Sequence, residues 1–110
     1  MKIKSHTSNG VTVLNLIGRF EAQNSSSVRA TIKEVMGKTP ANVVINLKDV
    51  QFIDSSGLAV LVQGMKLAKN AKGQLRLCGL QQKVRIIFEL TRLDKVFEIF
   101  ADESSAVAAF

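Results

Sequence analysis

The sequence predicts an α/β domain: a mixed β-sheet of four to five strands with alternating helices, opening on an N-terminal hairpin and continuing in βα units. Three observations predict it. Short apolar runs rich in β-branched residues, Val11 to Ile17 and Val43 to Leu47 among them, read as buried strands. Between such runs lie stretches whose apolar side chains fall on helical spacing. Strands and helices alternating in this way build sheets through right-handed crossovers. At 110 residues the chain is expected to form one domain, residues 1–110, around a single hydrophobic core.

Taken in order, Lys2 to Thr7 alternates weakly and reads as an edge strand, and Asn9-Gly10 is a hairpin turn signal. Val11 to Ile17 supplies the second strand, which Gly18 is expected to end. A connection, Arg19 to Asn24, follows, and Asn24 to Ser27 offers several N-caps. Val28, Ile32, Val35 and Met36 form the apolar stripe of the first helix, closed by Gly37 and Pro40. After the strand Val43 to Leu47, a loop over Lys48 to Ile53 should deliver Asp54-Ser55-Ser56-Gly57 to the first turn of a helix that runs on from Leu58 to Lys72. Leu58, Leu61, Val62, Met65 and Ala68 make one face of it, with Val60, Gly64, Leu67 and Ala71 beside them. Gly73 ends that helix, and Gln74 to Gly79 reads as a fourth strand. Leu80, Val84, Ile87 and Phe88 mark a helix finishing near Thr91. Val96 to Phe100 reads as a last strand, and a terminal helix starts at Asp102 or Glu103, using Val107 and Phe110 as apolar contacts.

Composition excludes several functions. Apolar content of 46% with 22% charged residues describes a folded globular chain, not a disordered one. The net charge of +6 invites a nucleic-acid partner, but the cations are spread from Lys2 to Lys95 and no tyrosine or tryptophan is present to stack on bases. No direct nucleic-acid contact is therefore expected. No apolar run approaches a membrane span and no signal-peptide core opens the chain, so no membrane insertion and a cytoplasmic location are expected. Lone Cys78 sits in an apolar run and reads as a buried structural thiol. His6 is the only imidazole and has no carboxylate or second histidine nearby in sequence, so it reads as a surface residue and no catalytic triad can be assembled. No Cys/His cluster would hold a metal and no glycine-rich loop would cradle a nucleotide. The chain reads as a binding protein without cofactor, metal or catalytic residue.

The connections Gly18 to Asn24 and Lys48 to Ser56 should both lie where strand C-termini meet helix N-termini, and so be neighbours. The first amides of a helix lack partners and its dipole favours negative charge there. Capping accounts for Asp54 or Ser55 alone. It does not call for two serines, a glycine and an apolar first turn together. Of the residues after the serines, Ala59, Val60 and Gly64 are either packed inside or exposed as a docking surface; both readings stay open at this stage.

Phe52-Ile53-Asp54-Ser55-Ser56-Gly57-Leu58, after a strand ending Asn46-Leu47, resembles the signature of bacterial anti-sigma factor antagonists, the single-domain members of the STAS group (sulfate transporter and anti-sigma factor antagonist domains). Gly18-Arg19-Phe20-Glu21-Ala22 is similar to the family's Gly-x-Leu/Phe-Asp connection, and Leu90-Thr91-Arg92-Leu93-Asp94-Lys95-Val96-Phe97 to its C-terminal stretch. Two positions depart from the pattern: Glu21 stands where the family usually has Asp, and Ala59 where it often has Gly. The resemblance implies a single-domain STAS fold and a partner that is an anti-sigma factor with serine kinase activity. It further implies phosphorylation at Ser55, with Ser56 as a minor site, and a PP2C-type phosphatase that acts on the phosphorylated form. The partner surface it implies comprises Glu21, Asn24, Asp54, Ser56, Gly57, Ala59 and Val60. The alternative is a non-switching STAS subunit of a lipid-transport or stress-signalling complex.

Overall fold

The structure is a computed structural model describing residues 1–38 and 40–110. Five strands form one sheet in the order β1 (Lys2–Ser8), β2 (Val11–Phe20), β3 (Val43–Ile53), β4 (Leu75–Cys78) and β5 (Ile99–Phe100). The β1–β2 pair is an antiparallel hairpin, and its turn places Asn9 at φ 51° and Gly10 at φ 80°. Positive φ at both central residues is what a tight hairpin turn needs to match strand twist, and Asn-Gly supplies it at low cost. From β2 onward every neighbour is parallel. Each parallel step crosses over through a helix: α1 (Ala22–Val35), α2 (Ser55–Asn70) and α3 (Gln82–Leu90), the last followed by a 3₁₀ turn at Leu93–Lys95.

Because each crossover moves to the next strand in the same direction, right-handedness puts α1, α2 and α3 on one face of the sheet. Val28, Ile32, Leu58, Val60, Leu61, Val84 and Phe88 from these helices pack there on Leu14, Leu16, Ile45, Leu47 and Leu77. The last helix, α4 (Glu103–Ala108), covers the opposite face, where Ala106 and Val107 meet Val11, Val13, Val44 and Cys78. The parallel strands all end at one edge, and the helices start from it.

Several boundaries differ from those the sequence predicts. β2 does not stop at Gly18: it continues to Phe20 through a register shift between Gly18 and Arg19. Nor is Lys48 to Ile53 a loop. β3 runs to Ile53 because Asp49, Val50, Phe52 and Ile53 pair with the extended end of β2. Cross-strand hydrogen bonding overrides the polar residues that made the segment look like a connection. α2 ends at Asn70, with Lys72 in the left-handed region at φ 61°, two residues before the predicted stop. α3 begins at Gln82, later than Leu80, and β5 keeps only Ile99 and Phe100 of the predicted Val96 to Phe100.

Candidate functional site

The long parallel pairing of β2 with β3 brings Phe20 and Ile53 side by side and so fixes where two helices begin. Asp54 is the N-cap of α2, with extended backbone at φ −113°. Its Oδ1 accepts from the amides of Ser56 at 2.9 Å and Gly57 at 3.1 Å. Its Oδ2 accepts from the amide of Ala22 at 3.2 Å, the first residue of α1. One carboxylate therefore holds the starts of two helices. The Asp54 amide completes the junction by donating to the Phe20 carbonyl at 3.2 Å.

The start of α1 is set by Glu21, not by Asn24 to Ser27 as the sequence predicts. Asn24 lies inside the helix, where its Oδ1 accepts from the Glu21 amide at 2.9 Å and its Nδ2 donates to the Arg19 carbonyl. That reciprocal use of the first turn outcompetes the serines as caps. The Glu21 carboxylate accepts from Arg19 Nε at 3.3 Å, and the Arg19 guanidinium lies 4.2 Å from the centre of the Phe52 ring. Arg19 and Phe52 are residues of this edge that the sequence marks only as parts of motifs. The signal that could have marked them is the strand register, which pairs Arg19 with Phe52 directly.

Ser55, the first residue of α2, is exposed, and Ala59 one turn on is exposed as well. Ser56 is half-buried. Two residues proposed from the sequence as partner contacts are inside. Val60 is 1% exposed and part of the main core, so it presents no docking surface. Gly57 is buried too, and a Cβ there would lie 2.8 Å from both the Phe20 carbonyl oxygen and Ile53 Cγ1. Only glycine lets α2 start this close to the ends of β2 and β3. Gly64 is buried as well. The exposed strip of α2 therefore runs along Ser55, Ala59, Gln63 and Lys66.

Elsewhere, His6 has a partner that local sequence did not show: its Nε2 lies 2.8 Å from Oε2 of Glu103, across 97 residues of chain. Cys78 is buried, and that burial, with the carboxylates of Glu103 and Asp102, pushes its thiol up to about 12. A thiol so far from ionising is a poor nucleophile. Among the described residues, no group of three or more His, Cys, Asp or Glu is placed to hold a metal ion, and no helix is long and apolar enough to cross a membrane.

A serine at the capped start of a helix, on the edge of a mixed sheet with three helices on one face and a short one on the other, defines a class of fold rather than a reaction. Residues 2–106 match the STAS domain, and the chain belongs to that family. Two curated relatives are named as anti-sigma factor antagonists. The anti-sigma F factor antagonist of Paenibacillus polymyxa is 28% identical, across 97% of this chain and 92% of its own length. The anti-sigma-F factor antagonist RsfB of Mycobacterium tuberculosis is 30% identical, across 84% of this chain and 75% of its own. A solved anti-sigma-factor antagonist (STAS) domain protein from Planctomyces limnophilus superposes with a TM-score of 0.89 at 26% identity, covering 97% of this chain and 96% of that one.

Proposed function

We propose that this chain, acting in the cytoplasm as one domain over residues 1–110, is an anti-sigma factor antagonist switched by phosphorylation at Ser55. Unphosphorylated, it binds an anti-sigma factor that is also a serine kinase and so frees the sigma factor. The kinase transfers the γ-phosphoryl group of ATP to Ser55 Oγ: the new O–P bond forms as the bond to ADP breaks, and the hydroxyl proton is lost. A PP2C-type phosphatase resets the protein. Ser55, Ala59 and Glu21 face the partner; Asp54, Ser56 and Asn24 shape that edge from behind, and Gly57 permits its close packing.

The observation that carries this reading is the exposed Ser55 hydroxyl on a helix start whose geometry is held by a neighbour. Asp54 already takes the Ser56 and Gly57 amides, so a phosphate on Ser55 would find those donors occupied and a carboxylate beside it. The fold would keep its shape, because the clamp does not use Ser55. What changes is the outer surface, by roughly −1.5 to −2 charges at neutral pH. A partner packed on Ser55 and Ala59 then meets bulk and uncompensated charge. Losing about 3–4 kcal/mol would weaken binding a few hundredfold.

The test is titration of the cognate anti-sigma factor against variants. Ser55→Ala is expected to bind as the unphosphorylated protein does, and Ser55→Asp far more weakly. Kinase and ATP should add phosphate chiefly at Ser55, so Ser55→Ala should take up far less than the wild type, with only Ser56 left as a minor acceptor. Equal affinity of both variants, or incorporation undiminished without Ser55, would refute the switch. Binding with no phosphate transfer would instead favour the non-switching subunit.

A further inference from the structure

The outer surface of α1 and α2 is electrically lopsided. Together the two helices carry four cations, Arg29, Lys33, Lys66 and Lys69, and one carboxylate, Glu34. That carboxylate lines a different hollow, beside Thr12 and Gly37. Between the helices lies an open groove of about 290 Å³ lined by Arg29, Lys33, Gln63, Lys66 and Leu67. Arg29 Nε donates to Gln63 Oε1 at 2.8 Å, tying the two walls and holding the guanidinium at the groove. At the other end of the same surface, by Ser55, the charged side chains are Asp54 and the paired Arg19 and Glu21. One strip of α2 joins the two ends: Ser55, Ala59, Gln63, Lys66. Eleven residues at about 1.5 Å each put Lys66 roughly 16 Å from Ser55.

We propose that this cationic groove is a second, phosphorylation-independent part of the partner interface, and that it takes an acidic segment of the same anti-sigma factor that covers Ser55. The inference rests on the switch reading for the partner's identity. Charge complementarity argues for the occupant: long cationic stems flank Leu67, so a segment mixing carboxylates with an apolar side chain would satisfy both walls and floor. Separation argues for independence. Sites this far apart with no shared partner contribute additively. A phosphate at Ser55 would remove one anchor and leave the groove's contribution in place, so the phosphorylated chain keeps a weak, salt-sensitive affinity instead of none.

The experiment is a double-mutant cycle. Lys33→Glu/Lys66→Glu, at two exposed positions, is combined with Ser55→Asp, and each form is titrated with the anti-sigma factor at low and high salt after circular dichroism confirms the fold. The groove variant should weaken binding roughly tenfold at low salt, by the same factor in both Ser55 backgrounds, and the factor should shrink as salt rises. A synthetic glutamate–leucine peptide should shift the amide resonances of Lys33, Gln63, Lys66 and Leu67, and a lysine–leucine peptide should not. A groove variant binding like the wild type, while Ser55→Asp still weakens, overturns the groove and spares the switch. The reverse pattern overturns the switch and spares the groove. If no anti-sigma factor binds, the peptide result decides alone, and absent shifts overturn the proposal. A DNA duplex captured through the same lysines would overturn the protein occupant.

Discussion

Two helices of this chain begin with nearly the same chemistry and end up with different roles. α2 starts Asp54-Ser55-Ser56-Gly57, and α4 starts Asp102-Glu103-Ser104-Ser105. In both, an aspartate in extended conformation caps the helix with its side chain. Asp102 accepts from Ser105, at 2.9 Å, while Asp54 serves two amides of its own helix and the first amide of α1. The first turn of α4 holds a second carboxylate, Glu103, which turns inward to His6 and Asn46. The first turn of α2 holds no acid. A serine pair behind an aspartate is thus common helix-capping chemistry. What sets α2 apart is that its cap is welded to a second helix and its first side chain points outward, so modifying it leaves the weld alone.

Removing the two caps tests that difference most strongly. Asp54→Ala should destabilise the fold by about 3 kcal/mol, since α2 loses its cap, worth ~1 kcal/mol or more, the first amide of α1 loses its acceptor, and three amides in all lose an ionised partner. Asp54→Asn should recover roughly half, because its one carbonyl oxygen can still serve Ser56 and Gly57 but not Ala22 as well. Asp102→Ala should cost clearly less than either. Urea unfolding of the three variants checks the order, and equal losses for Asp54→Ala and Asp102→Ala would erase the distinction. Gly57→Ala comes next. At the corresponding place α4 carries Ser105 with its side chain exposed, whereas a Cβ at Gly57 would press on the Phe20 carbonyl at 2.8 Å. A loss of about 2 kcal/mol is expected in the same assay, with the chain still folded.

How far the sequence reached can be read at the same junction. The alternation of strands and helices, the Asn9-Gly10 turn and the start of α2 at the serines were legible, because each rests on local spacing and local backbone preference. The extensions of β2 to Phe20 and of β3 to Ile53 were not. They depend on each strand finding the other, and each alone ends in glycine or polar residues that look like a loop. For the same reason the bond from Ala22 to Asp54 and the contact of His6 with Glu103 were invisible: the partners lie 32 and 97 residues apart. Val60 failed in the opposite sense. Apolar residues surround most of the first turns of α2, so periodicity could not say which of them the sheet would cover.

The last contrast concerns the acidic start of α4. Cys78 lies beneath it, and burial first, then Glu103 and Asp102, raise the thiol from its ordinary 9.0 to about 12. In the unfolded chain the thiol ionises near its ordinary value, so above that pH the unfolded state has lost a proton that the folded state keeps. Stability must then fall as pH climbs from 9.0 toward about 12, by at most ~1.4 kcal/mol per unit, and show no such contribution well below 9.0. The slope, not the absolute stability, carries the information, because Cys78→Ala also empties some core volume. That variant should flatten the alkaline limb of a urea-midpoint-against-pH curve relative to the wild type. Glu103→Gln keeps the hydrogen-bonding shape toward His6 while removing one of the charges, and should bring the thiol's ionisation down, read as thiolate absorbance in an alkaline titration. Ser55→Asp should leave that titration unmoved, since it adds its charge at the start of a different helix, whereas the charges acting on the thiol are those of Glu103, Asp102 and Lys48. A shift there as large as the one from Glu103→Gln would mean that the two helix starts share one electrostatic neighbourhood, and the contrast between them would fail.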